Sequence, residues 1–285
     1  NADIAMYRAK AEGKNNYQYY TQQLNEEYTH RATIEKSLQQ ALSNNAFHMV
    51  YQTVYELKTL RPAGVEALIR WDDPDLGSVS PAEFIPIAEE IGLIESIGEW
   101  IIKTSCEQFA KWYESGLTDM MCAINLSPRQ LQQPELLATT RKVLETLSIP
   151  PEIITLELTE TAIMQNVTDA EALLKAFQDM GIRISIDDFG TGYSSLSRLR
   201  QMPIYALKID QSFVRDVVSD KNDTIIVQAI LTLANSLDLE TIGEGIESKQ
   251  QLDFLIEHGC RYGQGFYLSK PLLPEEVTKI FNKDR

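Results

Sequence analysis

Acidic and amide side chains recur at the ends of short β-rich segments along this 285-residue chain: Glu66, Asn125, Glu157, the Asp187–Asp188 pair and Glu244. Lys208 and Asp210 fall at similar places. Singly, each has an ordinary explanation. A lone carboxylate after a strand is usually a helix cap or a solvated loop residue; Lys208 could pair with Asp210, and Asn125 could cap the turn into SPRQ. Gathered in one place they read differently, because at least four converging carboxylates repel one another and demand protons or cations. Oxygen-only donors suit Mg²⁺ or Mn²⁺, not zinc. No histidine–cysteine cluster suggests otherwise, and His30, His48 and His258 lie away from these ends as surface or packing residues. The adjacent aspartates point to two metals per site, one carboxylate bridging and its neighbour serving the second ion. Ions ~3.5–4 Å apart can polarise a phosphodiester and activate water at neutral pH. The following FGTGYSSL (Phe189–Leu196) is too long and polar for an ordinary turn and reads as a mobile loop over the site. A phosphate-cradling loop is the rival reading, for which GTG alone is weak evidence.

The elements that must position these residues alternate from Phe47 onward. Candidate strands are Phe47–Val54, Ala63–Arg70, Met121–Leu126, Ile153–Leu158, Arg183–Asp187, Ala206–Ile209, Glu240–Glu244 and Tyr262–Phe266. Helical periodicity marks Ile94–Ser115, Glu135–Leu147, Asp169–Met180, Asn222–Leu237 and Lys249–His258, with a last helix after Pro274. Thr168 and Gly181 serve as start and stop signals for the third of these. Eight strands in βα alternation predict a modified TIM (β/α)₈ barrel, whose C-terminal strand ends carry chemistry. Alternation puts Glu66, Leu68 and Arg70 on one face of the second strand. The first two strands are joined by only Tyr55–Pro62, too short for a crossover helix, so they should pair antiparallel. Ahead of the barrel, Asn1–Gly13 and Glu26–Ser43 read as helices flanking a polar, tyrosine-rich Lys14–Tyr20.

The bulk composition narrows the partners. The chain is 44% hydrophobic and 24% charged, with a formal net charge of -15. Such an acidic surface would not be steered towards polymeric nucleic acid or an anionic membrane. No uninterrupted apolar run approaches the ~20 residues of a membrane span. Three scattered cysteines (Cys106, Cys122, Cys260) read as reduced residues of a cytoplasmic protein. The first residue is Asn1, which suggests a fragment of a longer polypeptide.

Seven motifs in order carry a family resemblance. EALIRW around Glu66–Leu68, NLSPRQ (Asn125–Gln130), ELTET (Glu157–Thr161), DDFGTGYSSL (Asp187–Leu196), LKIDQSFV (Leu207–Val214), GEGIE (Gly243–Glu247) and QGFYLSKP (Gln264–Pro271) resemble the EAL phosphodiesterase family across residues 35–285. The resemblance implies a modified TIM barrel that hydrolyses cyclic di-GMP to linear pGpG with two Mg²⁺ or Mn²⁺ ions. It makes Glu66, Asn125, Glu157 and Asp187 ligands of one ion, and Asp187 with Asp188 ligands of the second. Glu244 resembles a further acid that binds metal or its water, and Lys208 the lysine that orients the attacking water; these two carry the catalysis. Arg70 resembles a phosphate contact, Gln52 and Gln264 substrate-supporting polar residues, and Glu160 the loop tether, with Glu247 assigned to loop anchoring as well. Two positions depart from the family pattern: Thr53 stands for a proline, and Gly243 for an alanine.

The segment Ala2–Asn16 resembles the last helix and turn of GGDEF cyclase domains without their glycine-rich signature. Residues 1–30 are therefore expected to be a GGDEF remnant and linker, and 31–285 the barrel. The family further implies a homodimer and upstream GGDEF and sensor domains, possible membrane anchoring lying in the rest of the parent protein. The alternatives are a non-catalytic cyclic di-GMP receptor on the same fold and an unrelated metal-dependent barrel enzyme with a lysine base.

Overall fold

The computed structural model describes residues 21–165, 167–192 and 196–283. The chain divides into two compact units, one formed by the segment up to His48 with Arg70–Ile94, the other by Met49–Ile69 with Glu95 onward. The expected GGDEF remnant at Ala2–Asn16 and residues 193–195 of the Phe189–Leu196 loop lie outside the described residues.

The strands are β1 (Phe47–Glu56), β2 (Arg61–Asp73), β3 (Gly77–Val79), β4 (Met121–Asn125), β5 (Ile154–Thr159), β6 (Arg183–Phe189), β7 (Ala206–Ile209), β8 (Glu240–Gly243) and β9 (Tyr262–Gly263). They run in the order β1-β9-β8-β7-β6-β5-β4-β2, and a β1–β2 pairing closes eight of them into a barrel. From β2 through β4 to β9 every neighbouring pair is parallel. β1 runs antiparallel to β9, with Tyr55 opposite Gly263. The reversed first strand is thus present, its hairpin to β2 only four residues long (57–60).

Parallel barrel strands are covered on both faces and read as nearly continuous apolar runs. β5 (ITLELT) illustrates this: five of its six residues are buried. Among them are two polar residues, Thr155 and Glu157. The registers Asn125↔Glu157 and Thr159↔Asp187 keep the acidic strand ends at one level. Next to Asp187 the β6–β7 register shifts, and Asp188 takes φ 53, in the left-handed region.

Helices fill the connections as expected, with ends moved by no more than four residues. Lys249–Glu257 begins in a capping box, Ser248 and Gln251 each accepting or donating across the first turn. The Asp169–Met180 expectation becomes Val167–Asp179, so Thr168 lies inside the helix instead of capping it, while Gly181 follows its end at φ 95. Among the features not expected from sequence are β3 hairpinned onto the end of β2, the helix Pro81–Glu90, the short helices Glu160–Gln165 and Gln211–Arg215, and a shortened β9. The last ends at Gly263 because Gly265 turns the chain, its carbonyl accepting from Leu268 and Ser269. In the smaller unit, Phe47, Trp71 and Phe84 form an aromatic trio with centroids 5.5–6.0 Å apart. There Arg31 and His30 also reach from the Gln22–Ala41 helix to Glu90 and Glu83. No helix among the described residues is long and apolar enough to cross a membrane.

Candidate active site

Lys208 organises the barrel mouth. Its side chain, 1% exposed, projects from β7, and its Nζ lies 2.8 Å from Glu157 Oε2, 2.8 Å from Glu244 Oε1, 3.2 Å from Asp187 Oδ1 and 3.4 Å from Glu66 Oε2. The sequence alternative of a Lys208–Asp210 pair is not what forms. Asp210 instead caps the short helix Gln211–Arg215, its carboxylate accepting from the Ser212 N–H at 2.9 Å.

Amides knit the carboxylates together. Asn125 Nδ2 donates to Glu66 Oε1 at 2.6 Å. Gln264 Nε2 donates to Glu66 Oε2 at 2.7 Å and to Glu244 Oε1 at 3.0 Å, leaving its Oε1 buried without a partner. Gln52 points the same way less directly: its Nε2 holds the Ser269 carbonyl at 3.1 Å, and its side chain lines the cavity beside Glu66. Arg70 is half-buried on β2, four residues beyond Glu66.

One ammonium cannot neutralise four carboxylates; the five groups carry -3 in formal charge if all are ionised, and their protonation equilibria shift accordingly. Burial first, then the Glu66 and Asp187 charges, push Glu157 well above the usual carboxylate range against the pull of Lys208. Burial likewise takes Glu244 up to about 8. Asp188 rises to about 6 through burial, the adjacent Asp187 charge and a hydrogen bond with Asp210. Glu66 goes the other way: burial works against its charge, but Lys208, Gln264 and Asn125 outweigh it and hold the pKa below normal. Lys208 itself is held well above the lysine range by Asp187, Glu157, Glu244 and Glu66, despite burial.

This donor set fits divalent cations. Carboxylate oxygens of Glu66, Glu157 and Asp187 lie within 4.8 Å of one another, and so do those of Asp187, Asp188 and Glu244. Asp187 belongs to both groups, as a bridging ligand would, and oxygen-only donors favour Mg²⁺ or Mn²⁺ over softer metals.

Glu160 and Glu157 are only three residues apart but serve different neighbours. Glu160, buried at the start of the helix Glu160–Gln165, accepts the backbone N–H of Gly190 at 3.0 Å and of Gly192 at 3.3 Å through Oε2. Glu247 is exposed at the rim, its N–H bonded to Gln251 Oε1 at 2.8 Å.

Beside the acidic cluster opens a cavity of about 230 Å³ lined by Gln52, Glu66, Glu244, Glu247, Gln264 and a rim that sequence reasoning missed: Gln211, Gly245, Gly265 and Phe266. Phe266 is 59% exposed, an unusual place for a phenyl ring, with the Lys270 ammonium 5.8 Å from its centroid. The two rim glycines were the available signal. Gly245 has φ 63, and a Cβ there would meet Gln211 Cβ at 2.5 Å; a Cβ on Gly265 would meet the Ile246 backbone at 2.1 Å.

The EAL domain description matches residues 35–271. The bifunctional diguanylate cyclase/cyclic di-GMP phosphodiesterase MucR of Pseudomonas aeruginosa is 38% identical over 281 residues, covering 97% of this chain and 40% of MucR. The cyclic di-GMP phosphodiesterase PdeR of Escherichia coli is 36% identical over 271 residues, covering 95% of this chain and 41% of PdeR. The chain thus spans about two-fifths of the length of these curated relatives. The solved PaMucR phosphodiesterase in complex with c-di-GMP superposes with a TM-score of 0.84 at 38% identity, over 86% of this chain and 99% of that one. Fold, site and relatives agree, and this chain belongs to the EAL domain family.

Proposed function

We propose that this chain is a phosphodiesterase that hydrolyses cyclic di-GMP to linear pGpG. The observation that carries the reading is the convergence of Glu66, Glu157, Asp187 and Glu244 on one buried lysine at the mouth of the barrel, with Asn125 bonded to Glu66 and Asp188 beside Asp187. The similarity to MucR and PdeR, both named as cyclic di-GMP phosphodiesterases, supports it.

Glu66, Asn125, Glu157 and Asp187 would hold one divalent cation, and Asp187 with Asp188 the second. When bound, such ions polarise a phosphodiester and lower the pKa of water. The chain's own groups do the rest. Water adds to phosphorus, the P–O3′ bond breaks with its electron pair leaving on O3′, which takes a proton from solvent, and the 5′-phosphate stays on the linear product. Glu244, whose Oε1 stands 2.8 Å from Lys208 Nζ, would take up the proton of the attacking water once its carboxylate is ionised. The Lys208 ammonium, fixed by its carboxylate neighbours, aims that water and offsets charge developing on the phosphoryl oxygens. Arg70, Gln52 and Gln264 contact substrate, while Glu160 anchors the loop after Asp188, helped by Glu247. On the same reading the protein works in the cytoplasm as a homodimer, downstream of GGDEF and sensor domains in a longer polypeptide. An intact acidic set weighs against a receptor that binds cyclic di-GMP without cleaving it.

Metal substitution tests the reading. Hydrolysis should require Mg²⁺ or Mn²⁺ and be suppressed by excess Ca²⁺, which prefers six to eight ligands at longer distances. Undiminished turnover in chelator, with metal removal verified, overturns the metal assignment.

A further inference from the structure

We propose that Gln130 is a positioning residue for the acidic cluster, acting through the Asn125 turn and seated in a recess that exists because residue 98 is glycine. The metal-binding consequence rests on the function proposed above; the seating itself does not.

Gly98 lies inside the 21-residue helix Ile94–Glu114, where glycine costs roughly 1 kcal/mol relative to alanine. Its backbone does not need glycine, since it is absent from the positive-φ positions among the described residues. Space is the reason: a Cβ at 98 would sit 1.9 Å from Gln130 Nε2 and 2.4 Å from its Cδ. The glutamine filling that space is 3% exposed, rare for an amide side chain. Its Oε1 accepts the Ser127 N–H at 3.0 Å, and its own N–H bonds back to the Ser127 carbonyl at 3.0 Å. The turn is thereby clamped from both sides. At its start, Leu126 N–H donates to the Glu157 carbonyl at 2.9 Å, and Asn125 reaches Glu66. The clamp therefore acts on the two residues, Asn125 and Glu157, that sit opposite each other in the β4–β5 register. A helix glycine and a buried amide, 32 positions apart, form one device that fixes where the Asn125 side chain stands.

The variants Gln130→Met, Gly98→Ala and their combination separate this from simple packing. Methionine keeps the volume but has no strong acceptor for Ser127; alanine at 98 pushes the glutamine out. Amide hydrogen exchange in chelator reads the seating directly: both single variants should speed exchange at Leu126 and Ser127 tenfold or more, leaving β5 and β6 amides unchanged. Calorimetric Mn²⁺ titration should then show about a 10–100-fold loss of affinity, the range for losing a supporting partner of a ligand. The double variant should lose no more than the worse single one, because both remove the same clamp. Wild-type exchange in Gln130→Met, wild-type Mn²⁺ affinity despite faster exchange, or additive losses would each overturn the proposal. Mn²⁺ binding by wild-type protein that leaves cyclic di-GMP intact would instead sink the proposed hydrolysis, with the exchange arm still deciding the clamp.

Discussion

At the scale of single residues, the central fact is that Lys208 is shared. Four carboxylates lie within 3.4 Å of its nitrogen, so removing it leaves a concentrated negative charge, not one broken pair. Lys208→Met should lower kcat by about 10²–10³-fold, the scale for losing one preorganised electrostatic group, while cyclic di-GMP binding largely survives. Near-normal kcat would reduce Lys208 to a structural counter-ion. Glu157 and Glu160 make a second contrast. Glu157→Gln should cost metal affinity and turnover together, whereas Glu160→Ala should spare at least one metal site and lose turnover through the freed glycine loop. Wild-type turnover in Glu160→Ala would rule out the tether. A third prediction follows from Glu244, whose pKa rises from 4.5 to about 8 on folding. A raised carboxylate pKa means the folded state binds the proton more tightly. That contribution to stability is complete below about pH 4.5 and is lost as pH climbs through 8. In chelator, Glu244→Gln should therefore melt increasingly above wild type between pH 5 and 8, measured by calorimetry. A gap that narrows with rising pH would contradict the sign.

At the scale of elements, the parallel strands were legible because burial on both faces writes them as short apolar runs, and the chemistry sits where those runs stop. Glu157 and Lys208 could be placed near strand ends from their neighbours alone, whereas Glu66 falls in the middle of β2, which continues to Asp73 to pair with β3. Their mutual contacts could not, because the partners of Lys208 span positions 66 to 244 and no local pattern encodes which carboxylates meet. β3 and the helix Pro81–Glu90 escaped for a different reason. DDPDLGSVSP reads as one polar turn, and its short strand is defined by pairing with β2, not by its own residues. The rim aromatic Phe266 was hidden by the expectation that β9 continued through it. Thr53, which departs from the family's proline, offers a test at this scale: its hydroxyl is fully buried in β1 without a partner. Thr53→Val should raise stability by about 1 kcal/mol in urea unfolding, since an orphaned buried hydroxyl carries an uncompensated desolvation cost. A loss of that size would mean the hydroxyl is satisfied in solution.

At the scale of the whole molecule, the barrel brings the C-terminal ends of its parallel strands to one mouth, and an otherwise apolar interior raises the electrostatic stakes of every charge placed there. This is how a chain of net charge -15 could suit the proposed anionic dinucleotide: Lys208 offsets one of the four carboxylates around it, and the cations the donor set would hold would reverse the remaining sign locally. Gly243 fits the same economy of space, since a Cβ there would press on Leu255 Cδ1 at 2.6 Å and disturb the helix packed behind Glu244. The most direct measurement is a single-turnover incubation of cyclic di-GMP with the protein and Mn²⁺ in ¹⁸O-labelled water, with products resolved by chromatography and mass spectrometry. The account predicts linear pGpG carrying one ¹⁸O on its 5′-phosphate. Cyclic di-GMP recovered intact from metal-loaded protein that binds it would contradict the account and leave a receptor in its place.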